Sequence, residues 1–245
     1  MGKLISALLS PVRALLPIIE YRVQNDRTFQ EMVTREFHAL FYNAYATGRT
    51  WFDVYWLGVP IRKCPLDLWS YQEILFETRP DLIIETGTAF GGSALFLASM
   101  CDVLSNGRVV SIDVMARPDR PKHERITYLA GSSTSQSIVD RVRSMVRPGE
   151  RVMAILDSDH SMQHVLRELR AFGPLVSKGC YLVVEDTNIN GHPVAPHFGP
   201  GPWEAVDEFL SGNDDFVADR SKEKFILTFN PRGFLRRVTG GVFSS

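Results

Sequence analysis

Cysteine is scarce in this 245-residue chain: Cys64, Cys101 and Cys180 stand far apart, and no CxxC occurs. That excludes a disulfide framework and a zinc knuckle, and it predicts three reduced thiols, mostly in the core. An excess of either charge is also missing. With 27 Lys and Arg against 28 Asp and Glu, the formal net charge is -1, so no basic surface points to nucleic acid and no such partner is expected. Long apolar runs are lacking too. The richest stretch, Leu4 to Ile19, is interrupted by Pro11, Arg13 and Pro17; it falls short of the ~20 residues a membrane span needs, and no small-residue cleavage site follows it. It reads as a short amphipathic helix packing on the body or on a second subunit, with a peripheral membrane contact as the alternative. The chain is expected in the cytoplasm. There is no internal repeat and no low-complexity tract, and 44% hydrophobic with 22% charged residues is an ordinary globular balance. The length fits one large domain, or one domain with a small attachment.

The texture changes once, near residue 80. Before it, Phe29, Met32, Val33, Phe37, Leu40, Phe41, Ala44 and Tyr45 recur close to helical spacing between Thr28 and Thr50, as packing positions do. Trp51 to Pro60 reads as an extended segment or turn, and Leu66 to Thr78 as a helix ended by Arg79-Pro80. Beyond that point short apolar runs alternate with helical stretches. Leu82–Ile84, Val109–Ile112, Ile126–Leu129, Val152–Leu156 and Tyr181–Val184 read as strands; Gly92–Leu104, Ser135–Val146 and Ser161–Phe172 read as helices. Continuous apolar runs joined by crossovers are what a parallel sheet covered on both faces requires. The crossover from Met115 to Arg125 is too rich in proline for a long helix, and Phe216 to Phe229 reads as two further strands flanking Arg220 to Lys224. The expectation is a doubly wound α/β fold with an N-terminal helical extension, divided into residues 1–78 and 79–245. Its ligand should lie at the carboxyl ends of the strands.

Those strand ends carry the chemistry. The first runs into Glu85-Thr86-Gly87-Thr88-Ala89-Phe90-Gly91-Gly92-Ser93, an acid followed by a glycine-rich turn into a helix, where free N–H groups and close backbone approach are available. The spacing is not GxGxxG, and a carboxylate there would repel a pyrophosphate yet hold an amino group or a cationic ligand. The same sequence can also be simply a tight turn. The second strand ends at Asp113, about 20 residues beyond the turn, where a carboxylate meets ribose hydroxyls in βαβ nucleotide sites. Gly131-Ser132-Ser133 after the third strand suits an adenine edge or ribose, and equally a helix cap. The fourth strand delivers Asp157-Ser158-Asp159-His160 and the fifth Glu185-Asp186-Thr187-Asn188. Carboxylates converging from neighbouring strands are costly without a cation, and oxygen ligands favour Mg²⁺, Ca²⁺ or Mn²⁺ over zinc. The alternative has Asp159 capping the next helix, Asp157 meeting only an organic ligand and Glu185-Asp186 facing solvent. Gly191 to Pro202 holds too many prolines and glycines for a helix or a central strand; it is either a lid over the site or a surface crossover before a helix near Trp203.

Taken together, Ile84 to Ser93, Leu156-Asp157-Ser158-Asp159-His160-Ser161, Val183-Val184-Glu185-Asp186-Thr187 and Asn230-Pro231-Arg232-Gly233-Phe234-Leu235 resemble the class I S-adenosylmethionine-dependent methyltransferases. Within these the chain is similar to the cephalosporin hydroxylase/rhamnosyl O-methyltransferase family, which includes macrolide sugar O-methyltransferases, over roughly residues 50 to 240. The resemblance implies a Rossmann-like methyltransferase sheet, S-adenosylmethionine as cofactor and a Mg²⁺ (or Mn²⁺) site on Asp157, Glu185 and Asp186. Asp159 rivals Asp157 as the first ligand. It implies His160 as general base beside Asp157, and Glu85, Thr86, Gly87, Gly91, Ser93, Asp113, Ser132, Ser133 and Asp157 on the cofactor side. It further implies a homo-oligomer, with the N-terminal helices building the acceptor pocket or subunit contacts.

The chemistry agrees with that assignment. An imidazole of ordinary pKa ~6.5 cannot remove an alcohol proton unaided, whereas a hydroxyl held on a cation can give its proton to a neutral histidine. The acceptor expected is a hydroxyl of a small molecule, most simply a sugar of a natural product or glycolipid. An iron oxygenase would need HxD or HxE, but the residues two beyond the six histidines are Leu40, Arg125, Met162, Leu166, Val194 and Gly199. A zincin HExxH is absent as well, since Ser161 follows His160. Two other readings stay open: a partner protein in a hydroxylation or methoxylation pathway, and a non-catalytic cofactor-binding scaffold.

Overall fold

A computed structural model of the chain describes residues 15–48 and 50–240. Most of the apolar stretch from Leu4 therefore lies outside the described residues. Residues 15–25 are helical, with Leu15, Leu16, Ile18, Ile19, Tyr21 and Val23 exposed, and no described helix is long and apolar enough to cross a membrane. Helix α1 (Arg27–Asn43) starts at Asp26, whose side chain accepts from the Phe29 N–H. Two 3₁₀ turns (Ala44–Thr47 and Thr50–Asp53) and a short antiparallel pair, β1 (Tyr55–Trp56) and β2 (Val59–Pro60), lead to α2 (Pro65–Thr78). Trp51 to Pro60 is thus a turn-rich segment rather than one extended run.

The body is a seven-stranded sheet in the order β5-β4-β3-β6-β7-β9-β8. Strands β3 (Leu82–Thr86), β4 (Arg108–Asp113), β5 (Ile126–Ala130), β6 (Val152–Leu156) and β7 (Tyr181–Val184) are parallel, while β9 (Phe234–Arg237) runs antiparallel between β7 and β8 (Phe216–Ala218). Helices α3 (Gly92–Leu104), α4 (Gln136–Met145), α5 (Met162–Phe172) and α6 (Pro202–Ser211) connect and cover the strands, and no helix forms between Met115 and Arg125. The apolar side chains of β3 and β6 alternate between two clusters. Leu82, Ile84, Ala154 and Leu156 pack with α5 and α6 residues such as Leu169, Phe172 and Val206, whereas Ile83, Met153 and Ile155 pack with Tyr71, Ile74 and Leu97 from α2 and α3. Burial on both faces explains why these strands read as unbroken hydrophobic runs.

One sequence expectation needs correcting. The segment ending at Phe229 is not a strand: the Phe229 N–H goes to the buried Asp67 carboxylate of α2 and its carbonyl accepts from the Asn188 N–H. Its backbone groups are satisfied by a helix side chain and a loop, so no ladder forms there. The pairing strand is β9, five residues further on.

The strand order reverses between β3 and β6, the two parallel neighbours whose following turns diverge, and a crevice opens at that place. Two glycines shape it. Gly87 has φ +84°, and a Cβ there would lie 1.7 Å from the Asp157 carbonyl oxygen; a Cβ on Gly92 would lie 2.2 Å from the Pro60 carbonyl oxygen. The turn after β3 is therefore pressed against the turn after β6 on one side and the N-terminal segment on the other.

Candidate active site

At these strand ends lies a cavity of about 650 Å³, of the size that holds a small molecule or cofactor. Its walls include Gly87, Ser93, Asp113, Ser133, Asp157, Asp159, His160 and Asp186, together with Tyr42, Trp51, Phe52 and Arg62 from the N-terminal segment and Phe198 from the loop before α6. Glu85, Thr86, Gly91, Ser132 and Glu185 do not line it. Glu85 is fully buried behind the turn, where Oε2 accepts from Ser111 Oγ at 2.6 Å and Oε1 has no hydrogen-bond partner; burial raises its pKa. Thr86 is buried, with Oγ1 accepting from the Asp157 N–H at 3.2 Å; Gly91, at φ +84°, packs under Pro121 and Tyr128, and Ser132 Oγ lies 3.1 Å from Thr134 Oγ1.

Asp113 is tied into the glycine-rich turn. Its Oδ2 accepts the Ala89 N–H at 2.8 Å and lies 3.0 Å from Arg120 Nη2, while Oδ1 accepts the Met115 N–H at 2.8 Å. Ser133 Oγ meets His164 Nε2 at 3.1 Å, which also lies 3.1 Å from Ser158 Oγ, and that hydroxyl donates to the buried Glu168 at 2.7 Å. His164 is thus a cavity residue at the head of a polar chain.

The acidic cluster sits on the β6 and β7 turns. Asp157, His160 and Asp186 each present one ligand atom, and all three atoms lie within 4.8 Å of one another. His160 Nε2 is 3.3 Å from Asp186 Oδ2. Asp159 instead accepts the Ser161 N–H at 2.8 Å, and hydrogen bonding from the Ser161 side chain and backbone lowers its pKa, as an aspartate just ahead of α5 does. Asp186 adopts φ +55°, an uncommon backbone state for a non-glycine residue. It is held there by buried Asn230, whose Oδ1 accepts the Asp186 N–H at 3.0 Å, while Gly233 packs so closely under Val184 that a Cβ would lie 2.2 Å from its carbonyl oxygen. The closing motif around Asn230 and Gly233 thereby shapes the β7 turn.

Glu185 points into the protein. Its Oε1 receives a hydrogen bond from Lys63 Nζ at 2.6 Å and another from the Tyr71 hydroxyl, and the same ammonium donates to Asp157 Oδ2 at 2.8 Å. The charges govern one another. Burial alone would lower the Lys63 pKa, but Asp157, Glu185 and Glu85 more than offset it and the lysine stays charged. Burial, reinforced by Glu185 and Asp186, raises Asp157 against the pull of Lys63. Burial also disfavours the charged form of His160, yet Asp186, Asp157 and Glu185 outweigh it and move its pKa upward.

The N-terminal segment provides the opposite wall. Arg62 lies over the Phe52 ring at 4.2 Å and the Phe90 ring at 4.8 Å, and Trp51, Tyr42 and Phe229 form an aromatic cluster with ring centroids 5.2–5.5 Å apart. Buried His38 of α1 stacks on Phe229, and its Nε2 lies 3.0 Å from Asn188 Nδ2. The loop from Gly191 to Pro202 is anchored by its own contacts: His192 stacks on Trp203 at 4.2 Å and bonds Glu204 at 3.1 Å, Asn190 also reaches Glu204, and Val194 is buried. From its tip only Phe198 lines the cavity.

The chain has relatives among known proteins. The profile described as Rhamnosyl O-methyltransferase/CmcI matches residues 48–238. The rhamnosyl O-methyltransferase of Mycobacterium leprae is 40% identical over 214 residues, covering 84% of this chain and 91% of the relative. Among solved structures, an apo form of CmcI superposes with a TM-score of 0.61 at 23% identity, over 81% of this chain and 84% of that one. A Mg-SAM form of CmcI superposes at 0.58 with 22% identity, over 77% and 78%. Both likenesses show the α/β fold. With the match spanning the β1–β2 hairpin, every turn of the cavity and the closing strand, the chain belongs to the Rhamnosyl O-methyltransferase/CmcI family.

Proposed function

We propose that this chain is an S-adenosylmethionine-dependent O-methyltransferase that uses a divalent cation and acts on a sugar hydroxyl of a small molecule. One observation carries the reading. A single cavity at the switch point of the sheet joins a glycine turn that no side chain could fill to a compact Asp157–His160–Asp186 cluster. The names of relatives support it: the curated ones are rhamnosyl O-methyltransferases, and one CmcI structure holds Mg-SAM.

The residues fit both groups. The cavity beside Gly87, with Ser93, Asp113 and Ser133 around it, suits a nucleoside with an amino-acid tail. Two carboxylates beside an imidazole suit a hard cation such as Mg²⁺ or Mn²⁺. Asp157 and Asp186 would hold the cation, with Glu185 behind them, and His160 would serve as proton acceptor. When bound, the cation stabilises a developing alkoxide and S-adenosylmethionine supplies an electrophilic methyl group. The protein's part is to bring the acceptor hydroxyl between His160 and the cofactor side of the cavity, to keep the imidazole oriented through Asp186, and to take up the proton. Tyr42, Trp51 and Phe52 offer flat apolar walls to the body of the acceptor, and Phe198 covers it from the loop before α6.

Calorimetric titration with S-adenosylmethionine and S-adenosylhomocysteine, with and without Mg²⁺, tests this reading. Micromolar binding that weakens by about tenfold, roughly 1.4 kcal/mol, in Asp113→Ala is expected. A folded protein that binds neither ligand would overturn it.

A further inference from the structure

Lys63 takes no part in the chemistry above, yet it is only 4% exposed and both of its side-chain partners are carboxylates of the acidic cluster, Asp157 and Glu185. It comes from the segment between β2 and α2, outside the sheet, and does not line the cavity. The segment is firmly seated. Pro65 opens α2, Asp67 accepts the Phe229 N–H at 2.8 Å, and Tyr71, two turns along, donates to the same Glu185 oxygen as the ammonium does. A buried ammonium is costly unless fully paired, and carboxylates crowded on two neighbouring turns repel one another. Each problem answers the other.

We propose that Lys63 is a positioning residue for the divalent-cation site. From the protein side it clamps Asp157 to Glu185, so that the turns of β6 and β7 hold Asp157 and Asp186 at the spacing a cation needs. Tyr71 is the second half of the clamp. The site is thus assembled only when the N-terminal segment is docked, although its ligands lie on the sheet. This rests on the metal reading under Proposed function.

The test is Mn²⁺ binding, followed by the electron paramagnetic resonance of the free ion, in the 245-residue chain and in its Lys63→Met, Lys63→Arg and Tyr71→Phe variants. Circular dichroism monitors folding and S-adenosylhomocysteine titration without metal monitors the cofactor side. Lys63→Met is expected to bind Mn²⁺ about 10–100-fold more weakly, the range for groups that orient metal ligands, with the nucleoside affinity held within about threefold. Lys63→Arg should recover part of the loss, and Tyr71→Phe should weaken Mn²⁺ in the same direction by a smaller factor. A folded Lys63→Met that binds Mn²⁺ as tightly as the wild type, or more tightly, overturns the proposal and makes Lys63 a competitor of the metal. If Lys63→Met does not fold, an unchanged Mn²⁺ affinity in Tyr71→Phe overturns it instead. Wild-type protein that binds no Mn²⁺ would remove the metal reading itself, an outcome distinct from the loss of Lys63's role alone.

Discussion

In the proposed reaction His160 is the proton acceptor; it lies 3.3 Å from Asp186 on the wall of the cavity. Its replacement by alanine should lower kcat by about 10²–10⁴-fold, the usual worth of a positioned general base, while S-adenosylhomocysteine binds as before; full turnover at neutral pH would reassign the base. Single residues of this kind were readable because each follows a strand and carries an unmistakable functional group. Lys63 and Tyr71 were not. A lone lysine between Arg62 and Cys64 has no spacing signal, and its partners lie 94 and 122 positions away. Tyr71 reads only as one more apolar position of a helix. Asp159 shows the converse, since Asp157 and Asp159 are equivalent in sequence and only the backbone distinguishes them, by giving Asp159 the Ser161 N–H to accept.

Among the elements, the parallel strands were legible because burial on both faces leaves no polar alternation to confuse the pattern. The misplaced strand near Phe229 had the right composition, but its hydrogen bonds were already spent on Asp67 and Asn188. Helix α1 docks through the same point by way of His38, buried against Phe229 with its Nε2 on Asn188. Burial lowers the His38 pKa to about 4, against the ordinary 6.5. Because the unfolded chain takes up the proton first, the folded state keeps this stability above pH 6.5 and loses it as pH falls through about 4. The loss amounts to about 3 kcal/mol at pH 4. Urea unfolding at pH 7 and pH 4 should show it in the wild type and not in His38→Phe, which keeps the stacked ring; equal slopes in both would place the acid sensitivity elsewhere.

For the whole molecule, the N-terminal extension and the sheet meet along a packed seam. Tyr71, Ile74 and Leu75 of α2 share a core cluster with Ile83 and Met153 of the sheet, and Lys63 and Asp67 bond to residues beyond position 150. A chain beginning at residue 79 should therefore show no cooperative thermal transition, whereas a sharp melt would establish the sheet as self-sufficient. The sheet order also bears on how the protein is made. Strand β9 lies between β7 and β8 although it is the last of the three to be synthesised. Until it emerges, the nascent chain carries β7 as an open, fully apolar edge, the kind of template on which neighbouring chains pair. A ribosome stalled before Phe234 would leave that edge uncovered, which makes the interval between β7 and β9 the stretch of translation where chaperone capture has most to protect.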